Sequence, residues 1–137
     1  MDMADAYTKV QVEDVEMRER KGGGPGSRDL SGAIGAETMT LRFWKFGPGD
    51  QMAYHRHQEQ EEIYGLIVGG PQEMLIEGEV VIVNDGDWIR VPKDTVRRIQ
   101  NNSDRDSNWL IMGAPPGTGI TDGIRINPET GEEIPRP

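Results

Sequence analysis

The chain has 137 residues and no cysteine, with 15 Lys and Arg against 24 Asp and Glu for a formal charge of −9. That length suits one domain with one core, and the absence of cysteine excludes disulfides, thiolate nucleophiles, Cys-ligated zinc and iron–sulfur clusters. The acidity excludes the broad basic footprint of a nucleic-acid binder and the basic amphipathic segment of a membrane-surface protein. No apolar run approaches the ~20 residues of a membrane span. The opening MDMADAYTKV has no charged segment leading into an apolar one, so a cytoplasmic protein is expected.

In chain order, residues 8–17 (TKVQVEDVEM) contain one alternating segment and are expected to form an edge strand. Residues 20–37 are expected to be a loop around Gly22-Gly23-Gly24-Pro25-Gly26. It resembles a phosphate loop only superficially, because no Lys-Ser/Thr follows. The rhythm then changes to strand, with 38–46 (TMTLRFWKF), 52–57 (MAYHRH) and 62–68 (EIYGLIV) separated by the turn Gly47-Pro48-Gly49-Asp50 and a short polar connection. After Gly69-Gly70-Pro71, residues 73–83 read as a hairpin pivoting at Glu77-Gly78. Asn84-Asp85-Gly86-Asp87 is the strongest local hairpin signal in the chain. Residues 88–91 (WIRV), 96–100 (VRRIQ) and 108–113 (NWLIMG) complete the set. The last stretch, 114–137, is rich in Pro and Gly, and 124–134 around Asn127-Pro128 reads as a small terminal hairpin or as a tail lying on a partner chain. Many short strands joined by tight turns predict an all-β sandwich or barrel. The division is one domain over 1–137: an N-terminal strand and Gly-rich loop (1–37), a barrel core (38–113) and a C-terminal tail (114–137).

One cluster carries chemistry: His55, His57, Glu59, Glu61 and Glu62. Two histidines two residues apart on a strand face the same side. A carboxylate arriving on the next strand would complete a facial set of two nitrogens and one oxygen, the arrangement suited to Fe(II) and tolerated by Mn, Ni or Zn. Taken alone, two surface histidines on a strand are as common as a site. The wider pattern is more specific. Residues 49–69 read Gly49-x5-His55-x-His57-x4-Glu62-x6-Gly69, and 86–101 read Gly86-x5-Pro92-x-Asp94-x2-Arg97-x3-Asn101.

These two segments resemble the paired motifs of the cupin superfamily. The second departs from the pattern twice: Asp94 stands for the usual Gly, a small change because Asp tolerates turn conformations, and Arg97 stands for the usual His. The resemblance implies a double-stranded β-helix, or jelly-roll barrel, usually a homodimer. It also implies a divalent metal (Fe, Mn, Ni or Zn) held inside the barrel by His55, His57 and Glu62, with Glu61 as the competing carboxylate. A guanidinium has no lone pair for a metal. Either Arg97 clamps a substrate anion beside the metal, or it pairs with Glu62 and takes the metal's place. A +2 ion and a +1 guanidinium ~5 Å apart repel by about 7 kcal/mol at an effective dielectric of 20, which favours the second arrangement in the resting state. A guanidinium swung toward solvent or a bound anion would relieve that repulsion.

The remaining candidates are weaker. Tyr64 shares a face with Glu62 and is expected either to turn its hydroxyl into the pocket as a substrate-binding group or to be a core aromatic. Arg98 is expected at the surface or a dimer contact, and Arg90 in an outer-face ion pair. Trp44, Trp88 and Trp109 are expected in the core or a dimer contact; Met52, Met74 and Met112 in the core. Glu59 and Gln60 are expected to form an exposed connection, and Gln51 is a weak candidate to reach a metal. The functional expectation is a small-molecule-binding cupin, a divalent-metal-dependent enzyme of dioxygenase or isomerase type acting on a small anionic molecule. The alternatives are a metal-free binding module in which Arg97 pairs with Glu62 or a bound anion, and, last, a metal-free isomerase or epimerase of sugar nucleotides with a His as base.

Overall fold

The computed structural model describes residues 6–116 and 122–135. Among these residues eleven strands form two antiparallel sheets: β1 (Met17–Arg18), β2 (Gly26–Asp29), β3 (Thr40–Phe46), β4 (His55–His57), β5 (Glu61–Val68), β6 (Gln72–Ile76), β7 (Glu79–Val83), β8 (Trp88–Val91), β9 (Arg97–Gln100), β10 (Ser107–Ala114) and β11 (Gly123–Arg125). One sheet runs β1-β2-β3-β10-β5-β8 and the other β11-β4-β9-β6-β7. From β3 onward every connection except the β6–β7 hairpin crosses from one sheet to the other, which is the jelly-roll arrangement. The core between them is Phe46, Tyr64, Leu66, Met74, Val83, Val91, Ile99, Trp109 and Ile111, all buried. It follows from period-two alternation: Trp109 and Ile111 point inward from β10, and Tyr64 and Leu66 from β5.

The expected strands from 38 to 113 all form, β8 with unchanged boundaries and the others with ends shifted by at most three residues. The β6–β7 hairpin turns at Glu77 (φ 48°) and Gly78 (φ 80°), the left-handed pair that a two-residue hairpin turn needs. Asp94 (φ 67°) takes the left-handed conformation where glycine is usual.

Three expectations are corrected. The 8–17 segment is not a strand. Val12–Asp14 is a 3-10 turn, and only Met17–Arg18 pairs, with Arg28 and Ser27. The Arg28 guanidinium instead takes the carbonyls of Val12, Glu13 and Val15, at 3.2, 3.1 and 2.6 Å, which holds this stretch against β2 without a ladder. The 20–37 segment is a loop only in part. Gly26–Asp29 is β2, and Leu30–Ile34 is a short helix, α1, whose first turn is capped by Asp29 accepting from the Gly32 N–H at 3.0 Å. The polar strand GSRD has no apolar alternation to announce it. Finally, Asn84–Asp87 is a turn, with Asp87 N–H on the Asn84 carbonyl at 2.9 Å, but it does not make a hairpin. β7 pairs β6 and β8 pairs β5, so this turn carries the chain from one sheet to the other.

The tail returns to its own chain. β11 pairs β4 antiparallel, setting Gly123 against His57 and Arg125 against His55. A small hairpin follows, closed by Ile134 N–H on the Arg125 carbonyl and Asn127 N–H on the Glu132 carbonyl, each at 2.8 Å. Among the described residues no helix is long and apolar enough to cross a membrane.

Candidate functional site

The site forms where β4, β5 and β9 face one another at one end of the barrel. β4 is short and lies between β11 and β9, and His55 is set directly against Arg97. On β5 the alternation that sends Leu66 into the apolar core sends Glu62 and Tyr64 into the same interior nearer the end. Possible ligand atoms of His55, His57 and Glu62 lie within 4.8 Å of one another. Metal bonds of 2.0–2.2 Å place neighbouring ligands about 3 Å apart and opposite ones about 4 Å apart, so the set is close to the size of a coordination shell.

The imidazoles are oriented by what their outer nitrogens touch. His55 Nδ1 lies 2.7 Å from the Ala53 carbonyl and must donate to it. His57 Nδ1 lies 2.9 Å from Asp122 Oδ2 and donates there. With both Nδ1 hydrogens placed, each Nε2 presents a lone pair whenever its ring is neutral. His57 Nε2 faces Glu62 Oε1 at 3.4 Å. Two acceptors so placed need a cation or a proton between them. Burial lowers the His55 pKa to about 4, helped by the nearby Arg97 guanidinium, so this ring is neutral at pH 7, the form that binds metals.

Glu62 is held by three groups on one oxygen. Its Oε1 accepts from Arg97 Nη2 at 2.6 Å and from the Tyr64 hydroxyl at 2.8 Å, besides facing His57. Burial works to raise the Glu62 pKa, but His57 and Arg97 outweigh it and hold it down to about 2. Arg97 is fully buried. Its Nε donates to the Tyr64 hydroxyl at 3.1 Å and its Nη1 to the Thr95 carbonyl at 2.7 Å. Burial and the Glu62 charge together raise the Tyr64 pKa, so its hydroxyl stays protonated and can donate to Glu62.

The five sequence candidates, His55, His57, Glu62, Tyr64 and Arg97, thus meet in one cluster. Arg97 does not swing toward solvent: three of its N–H groups are committed inside the barrel, and it pairs with Glu62 as the electrostatic comparison favours. Glu61, the competing carboxylate, points outward to Arg90 at 3.1 Å. Arg98 faces away from Arg97, over the Tyr54 ring and on Gln100. Gln51 is exposed and bridges to Gln100, away from the cluster. Trp109 is buried in the core, Trp44 stacks on Phe46, and Trp88 is half exposed, lying across Gly65. Met74 is buried, and Met52 and Met112 are partly so.

Two residues depart from the sequence reading. Gln60 is buried rather than exposed. Its amide lies on Gly113, where a side chain would collide with it, and donates to Thr40 Oγ1 at 3.3 Å and the Pro115 carbonyl at 3.1 Å. The missing side chain at 113 makes the room, and no local pattern at 60 shows that. Asp122 is the functional residue that sequence reasoning missed. It lies outside both motifs, 65 residues from the histidine it touches, and its only sequence signal is an Asp-Gly pair in a stretch read as tail.

The comparisons with known proteins bear on the fold. A family model described as Cupin domain matches residues 42–113. No curated protein sequence matches the chain. Among solved structures, a sugar phosphate isomerase from Silicibacter pomeroyi is similar with TM-score 0.72 at 18% identity, covering 87% of each chain. A cupin protein from Bacteroides fragilis has TM-score 0.65 at 23% identity, covering 82% of this chain and 86% of that one. A polyketide cyclase from Streptomyces resistomycificus has TM-score 0.67 at 20% identity, covering 80% of this chain and 81% of that one. At these identities the likeness establishes the fold, and the differing chemistry in the names shows that the fold does not fix the reaction.

Proposed function

The chain belongs to the cupin family, and from that premise we propose that it binds a small anionic molecule at a divalent cation held by His55, His57 and Glu62. The observation that carries this reading is the orientation of the two imidazoles. Each has an acceptor for its Nδ1 hydrogen, which leaves Nε2 to serve as the ligand atom in a group whose ligand atoms lie within 4.8 Å of one another. Two neutral nitrogens and one carboxylate suit Fe(II), Mn, Ni or Zn. Such an ion, when bound, would act as a Lewis acid on a substrate oxygen. That role fits a metal-dependent enzyme of dioxygenase or isomerase type. Arg97 and Tyr64 hold Glu62 ionised and fixed in direction, and their positive and hydrogen-bonding groups favour an anionic ligand at the same end of the barrel.

A second reading rests on the 2.6 Å bond from Arg97 to Glu62. In it the guanidinium supplies the positive charge that a metal would, and the barrel is a metal-free pocket. Titration of chelator-treated protein with Zn(II) or Mn(II), followed by calorimetry, separates the two. The metal reading predicts one site in wild type, its loss in His55→Ala, and tighter binding in Arg97→His, which removes a repelling charge and adds a ligand. Absence of binding in wild type overturns it. A rise in melting temperature with small carboxylates or phosphates, without metal and abolished in Arg97→Met, then supports the metal-free pocket.

A further inference from the structure

We propose that Asp122, brought to the site by the C-terminal strand β11, is a positioning residue that fixes His57 as its Nδ1–H tautomer and so aims Nε2 at Glu62. The consequence for metal affinity rests on the cation reading above; the tautomer assignment does not. Asp122 is 3% exposed and is held from several sides. Its backbone carbonyl accepts from Gln58 N–H at 3.0 Å. Its Oδ1 accepts from Glu59 N–H at 2.8 Å, and its Oδ2 from Gln60 N–H at 3.3 Å as well as from His57. Two consecutive backbone N–H groups of the β4–β5 connection, those of Glu59 and Gln60, therefore fix the carboxylate, the Gln58 N–H fixes the backbone behind it, and the carboxylate in turn fixes the ring.

The two histidines meet the same requirement by different means. His55 finds its acceptor two residues away, at Ala53, so its tautomer is set locally. His57 finds its acceptor only when the tail has paired with β4, with Gly123 against His57. Docking of β11 and the direction of the His57 lone pair are thus one event. Arg56, between the two histidines, reinforces the docking through Glu133 of the tail at 2.9 Å. A carboxylate behind a ligating imidazole also raises its basicity, and loss of such a partner typically weakens metal binding 10–100-fold.

The test uses side-chain long-range 15N–1H NMR of metal-free protein at alkaline pH, where the chain's two histidines give two spin systems. Both rings should show Nδ1–H in wild type. In Asp122→Asn and Asp122→Ala, His57 should lose that preference while His55 keeps it. Zn(II) affinity should fall about tenfold in Asn and toward 100-fold in Ala. The amide variant retains an acceptor for the loop and carries the test should the alanine variant fail to fold. A His57 that is Nε2–H in wild type, or that stays Nδ1–H in the folded Asn variant, overturns the proposal whatever zinc does. A simultaneous change at His55 overturns it too, by marking a general loosening. If the tautomer shifts as stated but wild type binds no zinc, Asp122 stands as the positioning residue and the cation reading falls.

Discussion

Strand β5 crosses two regions that differ in one step of the alternation. Its inward positions Glu62 and Tyr64 belong to a hydrogen-bonded charged cluster, and the next, Leu66, is fully buried among Trp109, Met74 and Ile99. β9 makes the same change, from Arg97 to Ile99, both fully buried. The floor of the barrel is held by apolar burial, where neighbours are interchangeable if volume is kept. The other end is held by groups that are stable only together. A buried guanidinium without its carboxylate, or the reverse, is far more costly than the pair is stabilising.

Substitutions can break this contrast. Glu62→Leu should destabilise the protein most, by about 3–5 kcal/mol in urea unfolding, because Arg97 stays buried with its charge unpaired. Replacing the whole cluster, in Glu62→Leu/Tyr64→Phe/Arg97→Met, should recover most of that loss. At the apolar end no such rescue exists. Leu66→Ala should cost about 3 kcal/mol through the cavity it leaves. A triple variant no more stable than Glu62→Leu would show that the two regions obey the same rule.

Acid should act on the charged end. His55 has a folded pKa of about 4, below the ordinary 6.5. Between these values the unfolded chain binds the proton more tightly, so stability falls as pH drops from 6.5 to 4, by about 3 kcal/mol. Glu62, held down to about 2, adds a second loss as pH falls from about 4.5 toward 2. Thermal unfolding from pH 7 to 4 should show the first loss in wild type and not in His55→Gln. The smallest effect is expected outside the barrel: Arg90→Ala breaks an exposed ion pair with Glu61 and should leave the urea midpoint unchanged.

The same contrast explains what the sequence disclosed. The alternation of β5 and β10 and the turn at Glu77-Gly78 are local signals, so the barrel strands and core were legible. His55, His57, Glu62 and Arg97 were legible because they sit at fixed spacings within two short motifs. What could not be read depends on pairing over long distances. Asp122 reaches His57 only through β11, Gln60 is buried by a gap at Gly113, and the Asn84–Asp87 turn specifies a reversal without naming the sheet that receives β8. The 8–17 stretch fails for a related reason, because Arg28 supplies the bonds that an alternating pattern assigns to a neighbouring strand.

In the proposed function, His55, His57 and Glu62 hold a cation beside Arg97. Its most direct test is elemental mass spectrometry of protein purified without a polyhistidine tag or chelator, in wild type and His57→Ala. About one equivalent of Fe, Mn, Ni or Zn is expected per wild-type chain, as two imidazoles and a carboxylate would hold, and none in the variant. No metal in either, even after incubation with excess Fe(II) or Zn(II), would contradict it and leave the Arg97–Glu62 pair as the occupant of the site.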